Sequence, residues 1–226
     1  MRAYSSVLLD LDGTLLDYPG AQAAAVRETS RLMAIPEDLF GDLMTFVNSP
    51  PVQAFESCRP GAPALGDDAV AKAFPAVPSI QPAAFLTSYF KALSKRGDTI
   101  EGAHACLKSL RRGRKLAAVS NGLGHVQRSR LEVSGLTGFF DALVISCEVG
   151  VAKPDPGIFR MALDLLGAGP GDAVMIGDSV SSDMAGAEAA GMDFIFVSAT
   201  GEVRTAGRTV AVVGSISEIP ELECFR

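Results

Sequence analysis

One stretch near the start of the chain decides the fold: Val7-Leu8-Leu9-Asp10-Leu11-Asp12-Gly13-Thr14. Its apolar residues predict a short buried strand, and Gly13 predicts the turn that ends it. Asp10 and Asp12 carry like charges close together, and such charges repel each other. A divalent cation that neutralises both would explain the pair, and so would a division of roles between a nucleophile and an acid or base. An Asp-Gly turn after a strand is also common without any function, so the rest of the chain has to decide.

The composition is that of a folded, moderately acidic protein. The chain has 226 residues, of which 48% are hydrophobic and 20% are charged; this suits one large domain or a domain with an inserted module. Its net charge of −6 argues against a nucleic acid polymer as partner, because binding to the phosphate backbone needs positive charge. A small phosphorylated ligand stays allowed, since a bound cation and one lysine can reverse the potential inside a pocket.

The N-terminus and the cysteines favour a cytoplasmic protein without a membrane partner. The first acidic residue is Asp10, too early for the apolar core of a signal peptide. No apolar run approaches the roughly 18 residues that a membrane span needs. The cysteines are far apart and form no Cys-x-x-Cys pair, so we expect reduced, mostly packed thiols. These cysteines are Cys58, Cys106, Cys147 and Cys224.

From about residue 101 onward, strand-like and helix-like segments alternate regularly. After the first strand, further strands are predicted at 115–119, 142–145, 173–176 and 194–197, with 210–213 as an edge strand. Helices are predicted at 101–112, 125–134, 156–166 and 182–190. This alternation is typical of an α/β fold in which a parallel sheet of five or six strands is covered by helices on both faces.

Residues 17–97 do not follow this alternation and are predicted to form a small helical insertion after the first strand. Helices are predicted there at 21–34, 38–46, 67–74 and 82–95. For the stretches 48–63 and 75–82, rich in Pro, Gly and Ala, a disordered linker remains an alternative. We therefore divide the chain into a core, residues 1–16 and 98–226, and an inserted domain, residues 17–97. The connections near Gly20 and Gly97 are expected to act as hinges.

Four groups of polar residues fall on the same edge of the predicted sheet, where ligands of parallel sheets bind. They are Asp10 and Asp12; Ser120, Asn121 and Gly122; Lys153 and Pro154; and Gly177, Asp178, Ser179 and Asp183. A hydroxyl and backbone N–H groups at a strand-to-helix turn suit phosphate oxygens, and a lysine adds positive charge. Carboxylates suit Mg²⁺, which prefers oxygen ligands. Each group alone has an ordinary structural explanation, but the four together predict one site.

In this order the four groups resemble the motifs of the haloacid dehalogenase-like hydrolase superfamily. The resemblance covers the whole predicted core and implies a Rossmann-like fold, and the insertion is similar to the superfamily's helical type 1 cap. The run at 144–154 is most similar to the branch that holds the pyrimidine 5′-nucleotidases and other small-metabolite phosphatases.

The resemblance implies a role for each residue of the site. Asp10 would attack phosphorus and form an aspartyl-phosphate, while Asp12 would protonate the leaving alcohol and then take a proton from water. The implied Mg²⁺ ligands are Asp10, the main-chain carbonyl of Asp12, Asp178 and Asp183, the last directly or through water. The implied phosphate-binding residues are Ser120, Asn121, Gly122 and Lys153, and of these Ser120 and Lys153 would also stabilise the transition state.

These roles imply a Mg²⁺-dependent phosphomonoester hydrolase acting on a small phosphorylated metabolite, for example a nucleoside 5′-monophosphate. A phosphomutase uses the same two aspartates and is the nearest alternative. A metal-independent 2-haloacid dehalogenase lacks the second acidic residue, here Asp12, and a non-catalytic binding module would be expected to have lost a motif. Monomer and homodimer both stay open. The substrate-facing candidates in the cap are Tyr18, Phe46, Asn48, Gln53, Phe55 and Arg59.

Overall fold

The computed structural model describes residues 3–75, 77, 80–198 and 207–225. Its strands are β1 (Ser6–Leu9), β2 (Lys115–Ser120), β3 (Ala142–Ile145), β4 (Ala173–Gly177), β5 (Asp193–Val197) and β6 (Thr209–Val213). All neighbouring strands pair in parallel, and their order across the sheet is β3-β2-β1-β4-β5-β6. The prediction of an α/β fold with five or six parallel strands is confirmed.

The helices connect these strands and fill the insertion. They are α1 (Tyr18–Leu32), α2 (Phe40–Val47), α3 (Pro50–Glu56), α4 (Asp68–Ala73), α5 (Pro82–Leu93), α6 (Ala103–Leu110), α7 (Gly124–Val133), α8 (Ser146–Val149), α9 (Pro156–Leu166) and α10 (Ala185–Ala189). Short 3₁₀ turns lie at Glu37–Leu39, Thr137–Phe139, Pro170–Asp172 and Ile216–Glu221, and a π-helical turn lies at Val180–Met184. Within the described part of the chain, no helix has the length and apolar character that crossing a bilayer requires.

The central strand β1 is buried along its whole length. Because side chains alternate between the faces of a strand, Val7 and Leu9 join the apolar cluster that contains Leu107 of α6. Leu8 joins the cluster on the opposite face, which contains Phe159 of α9. Helices therefore cover both faces of the sheet, as the continuous apolar strands predict.

The strand order places the ends of β1 and β4 side by side. The chain runs from β1 outward to β2 and β3 and then returns to β4 on the other side of β1. Ligands of open α/β sheets bind where the order reverses in this way. Leu9 pairs with Ile176, so the residues that follow each of them, Asp10 and Gly177, lie next to each other at this point.

Helices α1–α5 form the insertion and pack around an apolar cluster that Val126 of α7 joins from the core. Aromatic rings fill its centre: the ring of Phe46 lies edge-on to that of Phe74 at 4.9 Å between centroids, and Phe85 stacks with Tyr89 at 6.4 Å. The helical cap domain is thus confirmed, while its boundaries at residues 17 and 97 stay predictions.

Helix α3 lies within the stretch 48–63 of the insertion, for which a disordered linker was the alternative and no helix was predicted. Pro50 and Pro51 stand in its first turn, where the backbone N–H that proline lacks has no partner in the helix anyway. The prolines therefore begin the helix rather than prevent it. In the second stretch, residues 76, 78 and 79 lie outside the described residues.

Two core helices are shorter than predicted. The helix predicted at 101–112 begins only at Ala103, because Gly102 has a φ of 87°, a left-handed conformation outside the helical range. The helix predicted at 182–190 is replaced in its first turn by the π-helical turn, and π-type turns occur often at functional sites. This turn carries Asp183 inward, as described below.

The two connections between core and insertion lie side by side. The N–H of Asp17 donates to the carbonyl oxygen of Asp98 at 2.9 Å, and the N–H of Ile100 donates to that of Leu15 at 2.9 Å. A Cβ on Gly97 would lie 2.5 Å from the main-chain nitrogen of Ser134, so close packing explains this glycine as well as a hinge does. Hinge motion at Gly20 and Gly97 stays a prediction.

The expectation that all cysteines are reduced was wrong. Cys58, which follows α3, forms a disulfide with Cys147 of α8, across 89 residues of sequence. Cys106 and Cys224 are free and buried, as expected. No spacing rule connects cysteines so far apart, and only the docking of α3 against α8 brings the two together. The cysteines therefore no longer support a cytoplasmic location, which stays a prediction.

Candidate active site

The carboxylates of Asp10, Asp178 and Asp183 meet at the carboxyl ends of β1 and β4. One oxygen of each lies within 4.8 Å of the others. Asp10 follows β1, Asp178 follows β4, and the π-helical turn places Asp183 beside them with a fully buried side chain. Of the four predicted metal residues, the structure brings the carboxylates of these three together. For Asp12 the expected ligand is its main-chain carbonyl, which stays a prediction, and its carboxylate has other partners.

Lys153 is the cation inside this cluster. Its Nζ atom lies 2.6 Å from Oδ1 of Asp10 and 2.7 Å from Oδ1 of Asp183, and its side chain is 2% exposed. The loop before α9 is held in place by Asn121, whose Oδ1 accepts the N–H of Lys153 at 2.8 Å and whose Nδ2 donates to the Lys153 carbonyl at 3.0 Å. The second and third predicted motifs therefore support each other.

The charges of this cluster do not balance. Burial, reinforced by the charges of Asp183 and Asp178, raises the pKa of Asp10 well above its usual value, although Lys153 opposes the shift. Burial and the charge of Asp183 raise the pKa of Asp178 to about 6. Burial alone would lower the pKa of Lys153, but the attraction of Asp10 and Asp183 outweighs it and raises the pKa. Three carboxylates and one ammonium leave an excess of negative charge that a divalent cation would neutralise.

Asp12 points its carboxylate toward α7. Its Oδ1 forms an ion pair with Nη1 of Arg130, and its Oδ2 accepts from Nε2 of Gln127 at 2.7 Å. The same Nε2 donates to Oγ of Ser120 at 2.7 Å. Asp12 and Ser120, which belong to different predicted motifs, are thus joined through one glutamine.

The loop after β2 carries the predicted phosphate-binding residues Ser120, Asn121 and Gly122. Ser120 is 1% exposed, and it lines the cavity described next together with Asn121. The N–H of Gly122 donates to Oγ of Ser146 at 3.0 Å, so in this arrangement that group is engaged within the protein. A Cβ on Gly122 would lie 2.9 Å from Cγ of Gln127, and close packing therefore accounts for the glycine.

A cavity of about 400 Å³ lies between the core and the cap. The core side is formed by Asp10, Asp12, Ser120, Asn121, Lys153, Asp178, Ser179 and Ser182. The cap side is formed by Tyr18, Gln53, Glu56, Ser57 and Arg59. A larger groove of about 790 Å³ runs between α1 and α5, but its acidic residue, Glu28, is paired with Lys95 and Arg96. The smaller cavity is therefore the one with the chemistry of a catalytic site.

Glu56 of α3 adds a carboxylate on the cap side of this cavity. Both of its oxygens lie 2.9 Å from the hydroxyl of Tyr18, which donates to them. Burial, assisted by the charge of Asp12, raises the pKa of Glu56 to about 7, although the bond from Tyr18 opposes the shift. The carboxyl group therefore changes its charge near neutral pH.

The predicted substrate-facing residues of the cap divide into two groups. Tyr18, Gln53 and Arg59 line the cavity. Phe46 and Phe55 instead belong to the apolar cluster of the cap, and Asn48 accepts from Gln22 and donates to the Met44 carbonyl. An aromatic residue in a small helical domain is as useful for packing as for binding, and the sequence does not distinguish the two uses.

The residues of the site that the sequence did not reveal are Glu56, Gln127 and Arg130, together with the cavity-lining Ser57 and Ser182. Glu56 lies in the stretch for which no helix was predicted. Gln127 and Arg130 lie three positions apart on the buried face of α7, together with Val126 and Leu131. Polar residues on the inner face of a predicted amphipathic helix are the signal that could have identified them.

Comparison with known proteins agrees with this geometry. A family model described as haloacid dehalogenase-like hydrolase matches residues 4–191. A phosphoserine phosphatase of Thermus thermophilus is 45% identical over 87 residues, which is 38% of this chain and 35% of that protein. The pyrimidine 5′-nucleotidase YjjG of Escherichia coli is 34% identical over 146 residues, 64% of each chain. The chain therefore spans less than two thirds of the length of either relative.

A solved structure extends the likeness over the whole chain. The HAD-hydrolase YfnB from Bacillus subtilis, bound to magnesium, has a TM-score of 0.82 and 25% identity over 97% of this chain and 98% of that one. Both of the relatives named above are described as enzymes that act on phosphorylated substrates, a phosphatase and a nucleotidase. Because the family model matches well over half of the sequence and the cluster of Asp10, Asp178 and Asp183 is present, the chain belongs to the haloacid dehalogenase-like hydrolase family.

Proposed function

We propose that this protein is a Mg²⁺-dependent phosphomonoester hydrolase that acts on a small phosphorylated metabolite. One observation carries the proposal: three carboxylates, those of the buried Asp10 and Asp183 and of the exposed Asp178, converge with Lys153 as the cation paired with them. Such an all-oxygen donor set with excess negative charge fits Mg²⁺. When bound, the ion would lower the repulsion between an anionic nucleophile and an anionic phosphate.

The chain's own residues supply the steps of the reaction. Asp10 attacks phosphorus and forms an aspartyl-phosphate, while the bond to the leaving alcohol breaks. Its Oδ1 accepts the N–H of Leu11 at 2.8 Å and contacts Lys153, so an attack by Oδ2 would keep both contacts. Lys153 and Ser120 hold the phosphate oxygens, as preorganised charges and donors do in the transition state.

Asp12 transfers the protons. It gives one to the departing alcohol oxygen and then takes one from the water that hydrolyses the aspartyl-phosphate, which returns Asp10 to its starting form. Its place in the cavity wall, beside Ser120 and opposite the cap residues, supports this assignment. The carboxylate is already held from two sides.

The cavity supports a small polar substrate, with a nucleoside 5′-monophosphate as the first candidate. Its volume of about 400 Å³ lies in the range of small-molecule sites. Tyr18 provides an aromatic ring, and Gln53 and Arg59 provide polar groups on the cap side. One relative is named a pyrimidine 5′-nucleotidase and another a phosphoserine phosphatase, so the test panel includes both substrate types.

The experiment measures phosphate release from a panel of nucleotide, sugar and amino-acid monophosphates, with Mg²⁺ and with a chelator. We expect activity that needs Mg²⁺ and that Asp10→Asn abolishes. Asp164→Asn is the matched control, because this aspartate is exposed on α9, outside the cavity. Retained turnover in Asp10→Asn would overturn the nucleophile, and full activity in the chelator would overturn the metal. A requirement for a bisphosphate activator would favour a phosphomutase.

A further inference from the structure

Arg130 of α7 is the largest of the fully buried side chains, and its guanidinium group lies next to the active site. Nη1 pairs with the carboxylate of Asp12 and donates to Oε1 of Gln127 at 3.1 Å. Nε donates to the carbonyl oxygen of Arg96 at 3.0 Å. The group lies 5.3 Å from the centroid of the Tyr18 ring.

The ion pair between Arg130 and Asp12 indicates why a charged side chain is buried here. A charge without solvent needs an opposite charge nearby, and Asp12 provides it. A side chain that only filled space could be apolar, as its neighbours Val126 and Leu131 are. A charged group at this position therefore indicates that Arg130 acts on the carboxylate of Asp12.

Together, Arg130 and Gln127 hold both carboxylate oxygens of Asp12, one on each oxygen. Arginine holds a carboxylate in a defined geometry because its donors lie in a rigid plane. An acid or base works only when its oxygen lies within hydrogen-bond reach of the proton that it transfers. Without these two partners, the carboxylate of Asp12 would be free to rotate about its Cα–Cβ bond.

The same arginine touches both connections to the cap. Arg96 lies in the connection that returns from the cap, and Tyr18 begins α1 directly after the outgoing one. A shift of either connection would change a contact of Arg130. The orientation of Asp12 is in this way linked to the position of the cap.

We infer that Arg130, assisted by Gln127, is a positioning residue that fixes Asp12 for proton transfer to the leaving group and links its orientation to the cap connections. The inference rests on the proposed function. Arg130 acts through Asp12 and is not assigned a contact with the substrate.

The test compares two substrates that differ in their need for an acid. The leaving group of p-nitrophenyl phosphate departs readily without a proton, whereas that of phenyl phosphate needs one far more. For both, kcat/KM reports the steps up to departure of the leaving group. We expect Arg130→Met to lower kcat/KM for phenyl phosphate by about 10²-fold, the scale of general acid catalysis. For p-nitrophenyl phosphate, the factor by which kcat/KM falls should be at least about tenfold smaller. Arg130→Lys should recover part of the kcat/KM for phenyl phosphate that Arg130→Met loses, because lysine returns the charge without the planar donors.

Arg114→Met is the matched control. Its guanidinium donates to the carbonyl oxygens of Tyr4 at 3.1 Å and Phe225 at 3.0 Å and lies 5.2 Å from the centroid of the Phe225 ring. Like Arg130, it donates to main-chain carbonyls and lies over an aromatic ring, but it is half-buried and contacts no residue of the site. This variant should change both substrates by the same factor.

Each outcome decides the question. An equal loss on both substrates in Arg130→Met would show a merely structural role and overturn the inference. If that variant does not fold, as judged by circular dichroism, Gln127→Met and Arg130→Lys are compared in the same way, and an equal loss on both substrates in these would overturn the inference. A wild-type protein that releases phosphate neither from these two substrates nor from any monophosphate of the panel would overturn the proposed function itself, and the inference with it.

Discussion

The Nζ atom of Lys153 lies 2.7 Å from Oδ1 of Asp183, and neither side chain is more than 2% exposed. The same Nζ atom reaches Oδ1 of Asp10 at 2.6 Å. One buried cation therefore joins the end of β1 to the turn after β4. Removing either the positive charge of Lys153 or the negative charge of an aspartate should therefore affect both activity and stability.

Replacing Lys153 with Met should inactivate the enzyme and destabilise it. Removing one member of a buried ion pair leaves carboxylates without a partner and costs about 3 kcal/mol or more. Losing a cation that stabilises transition-state charge lowers kcat by about 10²–10³-fold. Chemical denaturation and phosphate-release assays measure the two effects.

The control for this variant is Lys115→Met. Lys115 lies on strand β2, outside the cavity, and donates to the Leu166 carbonyl at 2.7 Å. The activity of this variant should therefore stay within about twofold of wild type. If Lys153→Met kept wild-type kcat, the role of Lys153 in phosphate binding would be wrong.

Mg²⁺ should stabilise the folded protein, because it neutralises the excess charge of Asp10, Asp178 and Asp183. At an ion concentration of about one hundred times Kd, binding contributes about 2.7 kcal/mol, which for a chain of this length corresponds to a rise in Tm of about 5–10 °C. Asp178→Asn and Asp183→Asn should lose most of this rise, and Asp164→Asn should keep it. Thermal unfolding with and without Mg²⁺ measures the effect. An undiminished shift in both site variants would place the ion elsewhere.

The core of the site could be predicted because its residues directly follow strands. Short apolar runs between turn residues identify β1 and β4, and parallel strands bring their carboxyl ends to one edge. Asp10 and Asp178 follow from this rule alone, without knowledge of any side-chain contact.

The remaining part of the site depends on contacts that are distant in sequence. Asp12 meets Gln127 and Arg130 across 115 and 118 residues, and only the packing of α7 against the sheet determines these pairs. The Cys58–Cys147 disulfide likewise depends on a contact distant in sequence, the docking of α3 against α8. Glu56 was missed for a local reason: no helix was predicted in the stretch 48–63, rich in Pro, Gly and Ala, although proline is favourable in the first turn of a helix.

The disulfide can be tested by counting thiols. We expect two reactive thiols in the denatured, unreduced protein, from Cys106 and Cys224, and four after reduction. Burial raises the pKa of Cys106 to about 12, so it should react slowly in the folded protein. Because the bond closes a long loop between cap and core, Cys58→Ser should lower the free energy of unfolding by about 2–4 kcal/mol. Four thiols in the unreduced protein would show that the pair is not bonded.

Glu56 should make stability depend on pH near neutrality. Burial raises its pKa from 4.5 to about 7, so the folded state binds the proton more tightly than the unfolded state does. The stabilising contribution is complete below about pH 4.5 and is lost as the pH rises through 7. Glu56→Gln cannot ionise, and its amide oxygen can still accept from Tyr18. At pH 8 this variant should be more stable than wild type by about 1–3 kcal/mol, and at pH 5 the difference should become small. Chemical denaturation at the two pH values measures this, with the exposed Glu132→Gln as the control. An equal difference at both values would contradict the raised pKa of Glu56 and, with it, the burial of this carboxyl group against Tyr18.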